Sequence, residues 1–476
     1  MASRISAQRT GVALLAVACT AVLVWFGYGL NPLWPLMWLA PLPVLLLVRR
    51  PARQVALLAF AAWFLGCLTY VHYFRMLHVP WVVVLSMEAL LFTGAVLLYR
   101  ALLLRGAPWL ALLSVPALWA GFEYILSHTT SGGTAGSLSY TQLHFLPVLQ
   151  LASVTGPWGI TFVVLLFSTT LATAWHLRRT ARRQAVRIAA AGLGALAVVL
   201  LFGVVRLAEP AVRNPVKVGL LTSDISANDS TAPAGADATR IFQDYAAAAR
   251  QLIAQGAQVI VLPEKLAVVA NANPREAGQV FQPIADQTGA TFVVGVLRAA
   301  PPNKYNRALV FQPHASTLTY DKERMLPPFE SPLTPGVSLT LLPHAPAPWG
   351  VAICKDLDFT NPARRYGLAG VGLLLAPAWD FNIDRAWHGH IAILRGVENG
   401  FSIARAAKNG YLTVSDDRGR ILGEVRSDSA PIASLLVSVP SVHDPTLYLV
   451  LGDWFAWLSI ALFLLALLRC FRPRKA

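Results

Sequence analysis

The stretch Trp349-Gly-Val-Ala-Ile-Cys-Lys-Asp-Leu-Asp-Phe359 is an apolar run that ends abruptly at Cys354, beside charged residues. A short apolar run of this kind predicts a buried strand. A thiol at the C-terminal end of that strand would lie at the rim of a sheet, where α/β folds place their reactive groups. A structural thiol is the alternative, because free cysteine commonly behaves as a small apolar side chain.

The sequence around this stretch, from residue 211 to residue 445, alternates between β-like and helical patterns, which predicts a layered α/β fold. Residues 226–237 are predicted to form a surface loop. The predicted strands are Val216–Leu221, Gln258–Leu262, Thr291–Val296, Arg307–Gln312, Leu339–Leu342, Gly350–Ile353, Gly372–Leu375, Ser402–Ala406 and Tyr411–Val414, and the predicted helices are Thr239–Gln255 and Ala386–Asn399.

The remainder of the 476-residue chain is apolar enough to span a membrane. The chain is 55% hydrophobic and 13% charged, with a mean hydropathy of +0.54, which indicates an integral membrane protein. We predict a membrane domain over residues 1–210, an extramembrane catalytic domain over 211–445, and a final span with a tail over 446–476. The apolar segments that could cross about 30 Å of hydrocarbon are 10–30, 33–48, 54–76, 80–99, 108–127, 146–175, 186–207 and 446–470.

Basic residues fall on alternate loops and at both termini. The positive-inside rule makes those loops cytoplasmic, so eight spans place residues 211–445 on the periplasmic face of a bacterial inner membrane. Much of the net charge of +15 lies in these clusters, which favours contact with anionic lipid headgroups over nucleic-acid binding. The residues are Arg4, Arg9, Arg49, Arg50, Arg53, Arg100, Arg105, Arg178, Arg179, Arg182, Arg183, Arg187, Arg469, Arg472, Arg474 and Lys475.

Three residues of the predicted extramembrane domain form a chemically complete set. Cys354 is the domain's one cysteine and cannot form an internal disulfide, which makes it a candidate nucleophile. Glu264 follows the apolar run Val259–Pro263, and Lys322 lies in a turn-rich stretch; each alone would be an ordinary solvated residue. Together a carboxylate base and an ammonium for the oxyanion predict acyl transfer through a Cys354 thioester, with no metal or cofactor.

These residues, in this order, resemble the Glu-Lys-Cys triad of the nitrilase, or carbon–nitrogen hydrolase, superfamily. With spans on both sides of the domain, the whole chain resembles the membrane-bound apolipoprotein N-acyltransferases of that superfamily. The similar stretches are Leu262-Pro-Glu264, Lys322 with Glu330 eight residues later, Cys354 after its strand, Arg395-Gly-Val-Glu-Asn399, Trp119–Glu123, Gly136–Gln142, Thr155–Gly159 and Asp453-Trp454.

The resemblance implies a multi-pass α-helical membrane bundle of about eight spans and a four-layer αββα domain. It implies that Cys354 takes an acyl chain from a phospholipid and passes it to the α-amine of a lipoprotein's diacylglyceryl-cysteine. Glu264 would be the general base and Lys322 the oxyanion partner. By the same resemblance, Glu330 would orient Lys322. Asp356 and Glu398 would be further supporting carboxylates.

Three stretches depart from the family pattern. Cys354-Lys355-Asp356 stands where the acyltransferases have Cys-Tyr-Glu, and Ala376–Phe381 replaces an Asn-Asp-Ala-Trp-Phe segment. Thr222–Asn228 lacks the tryptophan found after the first domain strand in the family. These changes leave the acylation residues in place and concern the second substrate.

Other functions stay open on the sequence alone. A membrane-bound amidase, or an acyltransferase with a different amine acceptor, would use the same catalytic residues, because thioester hydrolysis and aminolysis differ only in what attacks the thioester. A non-catalytic scaffold on a nitrilase fold is a third reading. His388 and His390, with Asp380 or Asp384, could suggest a metal site, but residues i and i+2 of a helix point apart.

Overall fold

The computed structural model describes residues 2–209, 215–224, 231–270 and 275–471. These residues form two compact units: Met1–His128 with Gly136–Arg206 and Leu451–Ala476, and Thr129–Ala135 with Leu207–Val450. Arg472, Arg474 and Lys475 lie outside the described residues, as do positions 225–230, which include parts of the predicted 226–237 loop and of the Thr222–Asn228 stretch.

The first unit is helical, and seven of the described helical segments are long and apolar enough to cross a membrane. They are Thr10–Gly27, Ala52–Met76, Trp81–Leu104, Pro108–Thr129, Pro157–Leu177, Arg182–Leu207 and Trp454–Phe471. In chain order the helices are α1 Ala2–Gly27, α2 Trp34–Met37, α3 Leu42–Leu45, α4 Ala52–Cys67, α5 Val71–Met76, α6 Trp81–Leu104, α7 Pro108–Thr129, α8 Leu146–Leu149, α9 Ala152–Thr155, α10 Pro157–Leu177, α11 Arg182–Leu207, α12 Ala236–Ala254, α13 Arg275–Thr288, α14 Thr360–Leu368, α15 Trp387–Asn399, α16 Leu447–Leu451 and α17 Trp454–Phe471.

The predicted span over residues 33–48 is not one helix. It forms the short helices α2 and α3, because Pro41 and Pro43 interrupt the helical hydrogen-bond pattern. The segment nevertheless runs along α10: Ser168 donates to the Trp38 carbonyl at 2.5 Å, and His176 Nε2 lies 3.0 Å from the Leu45 carbonyl oxygen. The eight residue steps from Ser168 to His176 cover roughly 12 Å of α10, so the divided segment runs alongside that helix over about this length.

The predicted span over residues 146–175 also differs. Its first part forms α8 and α9, and the long helix α10 begins only at Pro157. Gly156, at φ +65°, separates α9 from α10, in a backbone conformation that glycine adopts at little cost. Pro157 then occupies the first helical position, where its missing N–H is not needed.

Several basic loops meet at one end of this bundle. Arg49 donates to the His176 carbonyl at 3.0 Å, and Arg100 donates to the Arg50 carbonyl at 3.2 Å. Trp109 and Arg182 line a common cavity near the start of α11. The basic loops before α4, after α6 and between α10 and α11 therefore belong to the same end of the helical unit, as the charge pattern predicts.

The second unit contains two β-sheets. One has the strand order β13-β1-β2-β4-β5-β6, with β3 also paired to β4, and the other has the order β12-β11-β10-β9-β8-β7. The strands are β1 Pro215–Thr222, β2 Val259–Val261, β3 Val268–Val269, β4 Thr291–Ala300, β5 Asn303–Phe311, β6 Leu318–Asp321, β7 Leu341–Leu342, β8 Trp349–Val351, β9 Leu373–Trp379, β10 Ser402–Lys408, β11 Tyr411–Ser415, β12 Ile421–Arg426 and β13 Ala433–Pro440.

The apolar residues of these strands divide between two cores. Val259 and Val261 of β2 join the core shared by the two sheets, whereas Ile260 faces the core under α12 and α13. This alternation follows from the two-residue period of a strand. Helices α14 and α15 belong to the second sheet, and α15 packs against β10 and β11. The unit is therefore an αββα sandwich, which confirms the predicted fold class.

All of the predicted domain elements occur, with shifted ends, but several observed elements were not predicted. They are β3, β6, β12, β13, α13 and α14. Strand β12 illustrates the cause: it is an edge strand whose residues are mostly exposed or half-buried, so its sequence lacks the apolar run that marks a buried strand.

The end of α15 supplies a stability prediction. Gly400 caps the helix at φ +72°, and a β-carbon there would overlap the Asp444 carbonyl oxygen. We expect Gly400→Ala to cost at least about 1–2 kcal/mol and to lower the thermal unfolding temperature of the purified protein. Gly389→Ala is the matched control, because that site in the same helix has no atom closer than 3.7 Å. Equal unfolding temperatures for the two variants would contradict the prediction.

Candidate active site

Glu264 stands just beyond the end of β2, with its side chain only 1% exposed. The neighbouring strand β4 allows this close approach through Gly295, where a β-carbon would overlap the Pro263 carbonyl oxygen and lie 2.7 Å from the Glu264 Cα. The Glu264 N–H donates to the Ala378 carbonyl at 3.2 Å. The carboxylate is thus held where the ends of several strands meet.

Lys322 follows β6 and reaches Glu264 directly. Its ammonium lies 3.0 Å from Glu264 Oε1 and 2.8 Å from Glu330 Oε2. Asn306 on β5 donates to both carboxylates, at 2.7 Å for Glu330, and Lys265 Nζ lies 2.9 Å from Glu330 Oε1. Two carboxylates, two ammonium groups and one amide therefore form a single buried network.

The electrostatics of this network keep Lys322 and Glu330 charged. Burial acts to lower the pKa of Lys322, but the carboxylates of Glu264 and Glu330 outweigh it and hold that pKa above the usual range. Burial acts to raise the pKa of Glu330, but Lys322 and Lys265 hold it well below its usual range. Lys322 is therefore an ammonium at neutral pH, which suits it to stabilise an anion and not to act as a base.

Cys354 lies at the end of the β8 run and begins a short 3-10 helix, Cys354–Asp358. Its φ of +45° is in the left-handed region, where a non-glycine residue is uncommon and where such strain often marks a functional site. The thiol donates to the Trp379 carbonyl at 3.5 Å. Burial and the negative charge of Glu264 raise the pKa of Cys354, so the resting thiol is protonated and needs a base.

Asp356 ties the cysteine turn to the segment that follows Lys322. Its carboxylate accepts hydrogen bonds from the Ile353 N–H at 2.9 Å, the Arg324 N–H at 2.8 Å, the Glu323 N–H at 3.0 Å and the Tyr320 hydroxyl at 2.8 Å. Burial raises the pKa of Asp356 to about 6, and these hydrogen bonds oppose that rise. Asp356 thus supports the geometry of the site from behind the nucleophile.

A second charged cluster lies on the other side of the cysteine turn. Asp358 pairs with Lys355 at 3.1 Å and with His388 Nδ1 at 2.9 Å, and His388 Nε2 lies 3.3 Å from Asp384. Burial acts to lower the pKa of His388, but Asp358 and Asp384 raise it to about 10. His388 is therefore an imidazolium between two carboxylates, which is the opposite of a neutral metal ligand.

The alternative metal site finds no support in the described part of the chain, where no group of three His, Cys, Asp or Glu residues could hold an ion. Asp380 is instead bound by Arg405, at 2.7 Å and 2.5 Å. Of the predicted supporting carboxylates, Glu330 and Asp356 lie in the cluster around Lys322 and Cys354. Glu398 forms a buried ion pair of 2.9 Å with Arg395 on α15, and its supporting role stays a prediction.

Two members of the network were not predicted from the sequence. Asn306 immediately precedes the predicted strand Arg307–Gln312, and a buried polar residue inside β5 is the signal that could have marked it. Lys265 directly follows Glu264 and resembles an ordinary loop lysine in the sequence. In the structure a left-handed φ of +49° turns its side chain back to Glu330, and residue type does not predict this turn.

Comparisons with known proteins agree with this architecture. Residues 20–170 match the family described as Apolipoprotein N-acyltransferase N-terminal domain, and residues 230–430 match Carbon-nitrogen hydrolase. A protein from Geobacter metallireducens named apolipoprotein N-acyltransferase is 28% identical over 94% of this chain and 93% of its own length. One of the same name from Vibrio parahaemolyticus is 23% identical over 97% of each. A solved amidase from Nesterenkonia sp. aligns with a TM-score of 0.41 and 21% identity, over 49% of this chain and 93% of the amidase.

The αββα unit and its family match make this half of the chain similar to the carbon–nitrogen hydrolase, or nitrilase, superfamily. The membrane half has its own family match, and the relatives extend over nearly the whole length. Over nearly its whole length the chain is therefore similar to the apolipoprotein N-acyltransferases, which supports an acyltransferase with membrane-spanning helices.

The four donors to Asp356 supply a prediction about the nucleophile turn. We expect Asp356→Ala to destabilise the protein by about 2–5 kcal/mol, since it leaves several buried donors without an acceptor. The thermal unfolding temperature should fall. Tyr320→Phe, which removes one of the four donors, should cost only about 1 kcal/mol. If Asp356→Ala and Tyr320→Phe both unfold at the temperature of the wild type, Asp356 does not stabilise the turn at Cys354.

His388 supplies a prediction about pH. Because the folded-state pKa of His388, about 10, exceeds its ordinary value, its ion pairs stabilise the folded protein fully below about pH 6.5 and lose this effect as the pH rises towards 10. We expect the difference in thermal unfolding temperature between wild type and His388→Gln to be largest near pH 6 and to shrink by pH 10. A difference that stays constant or grows would contradict the ion-pair assignment.

Proposed function

We propose that this protein transfers a fatty acyl chain from a phospholipid to the α-amine of a lipoprotein's N-terminal diacylglyceryl-cysteine, through a thioester on Cys354. The observation that carries the proposal is the buried contact of Lys322 with Glu264, 3.0 Å long, beside a cysteine in a left-handed turn. Both charges act on the Cys354 thiol. A base, an ammonium and a protonated thiol are the groups that acyl transfer needs.

In the first half-reaction, Glu264 takes the thiol proton as Cys354 Sγ attacks the ester carbonyl of the donor. The carbonyl oxygen becomes an oxyanion, and the Lys322 ammonium stabilises it. When the carbon–oxygen ester bond breaks, Glu264 returns the proton to the leaving alcohol of the lysophospholipid. The acyl chain remains on Cys354 as a thioester, and Glu264 is a carboxylate again.

In the second half-reaction, a neutral amine attacks the thioester carbonyl. Glu264 accepts a proton from the attacking nitrogen, Lys322 again stabilises the oxyanion, and the carbon–sulfur bond breaks. Glu264 passes the proton taken from the nitrogen to the leaving Cys354 thiolate, so the thiol and the Glu264 carboxylate are regenerated, and the product is an amide. Water in place of the amine would give a fatty acid, so the identity of the acceptor determines whether the site acts as a transferase or as an amidase-type hydrolase.

The choice of substrates is supported by the chain's own membrane segments and by its relatives. The seven described helical segments that are long and apolar enough to cross a membrane fit an enzyme whose donor is a membrane lipid and whose acceptor is lipid-anchored. The relatives are named for N-acylation of apolipoproteins. The basic end of the helical unit fits the cytoplasmic side of a bacterial inner membrane, with Glu264, Lys322 and Cys354 on the periplasmic side.

The test uses the full-length protein in detergent, with phosphatidylethanolamine as donor and a synthetic diacylated lipopeptide as acceptor, and mass spectrometry of the peptide. We expect the peptide to gain one acyl chain. Cys354→Ala should abolish the product, and Glu264→Gln and Lys322→Met should each lower the rate by about a hundredfold or more. Cys470→Ser, which removes a thiol from the end of α17, is the matched control and should retain full activity.

Three results would contradict this proposal. Release of free fatty acid with no acylated peptide would indicate hydrolysis, and a different acylated amine would indicate another acceptor. Product formation by Cys354→Ala would exclude the thioester mechanism.

A further inference from the structure

Lys265 is a second ammonium group in the site and has no place in the mechanism described above. Its Nζ lies 2.9 Å from Glu330 Oε1 and 3.6 Å from Glu264 Oε1, so it contacts both carboxylates that Lys322 contacts. Its side chain is 18% exposed, whereas that of Lys322 is 2% exposed. Lys265 therefore occupies the more open side of the same buried network.

The backbone holds Lys265 in this position at some cost. Its φ of +49° is left-handed, and this conformation costs a non-glycine residue about 1–3 kcal/mol. The Lys265 carbonyl accepts a hydrogen bond of 3.2 Å from Lys408, whose ammonium also lies 3.9 Å from the centre of the Trp379 ring. The next N–H, of Leu266, donates to the Gly295 carbonyl at 2.9 Å. Because the backbone of this strained turn is hydrogen-bonded at the Lys265 carbonyl and at the Leu266 N–H, the turn holds the Lys265 side chain towards the two carboxylates.

The charge of the network explains why a second ammonium is needed. Glu264 and Glu330 carry two negative charges away from water, and Lys322 supplies only one positive charge. Of the other charged groups that act on Cys354, Asp380 and Arg405 neutralise each other at 2.7 Å and 2.5 Å. Asp356 and the cluster of Asp358, Lys355 and His388 lie at the other side of the cysteine turn, and that cluster is paired within itself. Lys408 packs on Trp379 and reaches the network through the Lys265 carbonyl. Without Lys265, two buried carboxylates would share one cation, and such a pair readily binds a proton.

We propose that Lys265 is a positioning residue of the acyl-transfer reaction, whose ammonium offsets the second carboxylate and thereby sets the pH range in which the Cys354 thiol gives up its proton. This inference rests on the proposed function for its role in acyl transfer. The charge arrangement itself acts on the Cys354 thiol, whatever the acyl donor.

The test is the rate of Cys354 alkylation by iodoacetamide as a function of pH, in full-length protein in detergent. The rate is read from the Cys354 peptide by mass spectrometry, because Cys19, Cys67 and Cys470 are also free thiols. We expect Lys265→Met to shift the profile upward by about one pH unit or more, so that the rate at pH 7 falls about tenfold and recovers as the pH rises. Lys265→Arg should keep the wild-type profile.

Two further variants make the result decisive. Lys217→Met removes the same charge from an exposed strand position and should leave the profile unchanged. Lys265→Gln keeps a hydrogen-bond donor without the charge, so it should shift as Lys265→Met does, and it replaces that variant if Lys265→Met does not fold. Profiles of both uncharged variants that coincide with the wild type, or that fall equally at every pH, would overturn the inference. Because no lipid is used, a protein that fails to acylate lipopeptide would still give this answer.

Discussion

The ammonium of Lys322 is shared between two buried carboxylates, and the chemistry of the site depends on this arrangement. A buried Lys322 with no carboxylate partner would lose its charge. Its ammonium lies 3.0 Å from Glu264 and 2.8 Å from Glu330, and these contacts keep Lys322 and Glu330 in their ionised forms. This interaction therefore fixes the end of β2, which precedes Glu264, relative to the end of β6, which precedes Lys322.

Cys354 is positioned by contacts on the opposite side of the same network. Cys354 adopts a strained left-handed conformation, and Asp356 binds the N–H of Ile353 just before it. The same carboxylate binds the backbone just after Lys322, at Glu323 and Arg324. One buried carboxylate thus sets the distance between the thiol and the ammonium. A change of one element would displace both groups, which explains why a supporting residue can matter as much as a reacting one.

Two of the three candidate reacting residues can be recognised in the sequence because each stands where an apolar pattern stops. Glu264 and Cys354 follow strand runs, and their order along the chain resembles a known triad; their catalytic roles are part of the proposal. Lys265 and Asn306 could not be recognised, because their roles come from a backbone turn and a strand register that residue types do not specify. Glu398 pairs with Arg395, since both lie on the same helix at a spacing of three residues, and its role as a supporting carboxylate stays a prediction.

In the helical unit, too, the sequence predicts some features of the structure and not others. Hydropathy finds the long helices but cannot tell one continuous helix from a segment that prolines divide, as between α2 and α3, or that a glycine interrupts, as at Gly156. Hydrogen bonds from α10 to Trp38 and Leu45 supply the missing information, since they show where the divided segment runs.

Whether Cys354 carries the acyl group is best tested by the intact mass of the purified protein after incubation with a phospholipid of defined acyl chains and no acceptor. We expect a mass gain of one acyl chain, located on the Cys354 peptide and removed by neutral hydroxylamine, as a thioester requires. No gain under these conditions, or a gain that persists in Cys354→Ala, would contradict the claim that Cys354 carries the acyl group.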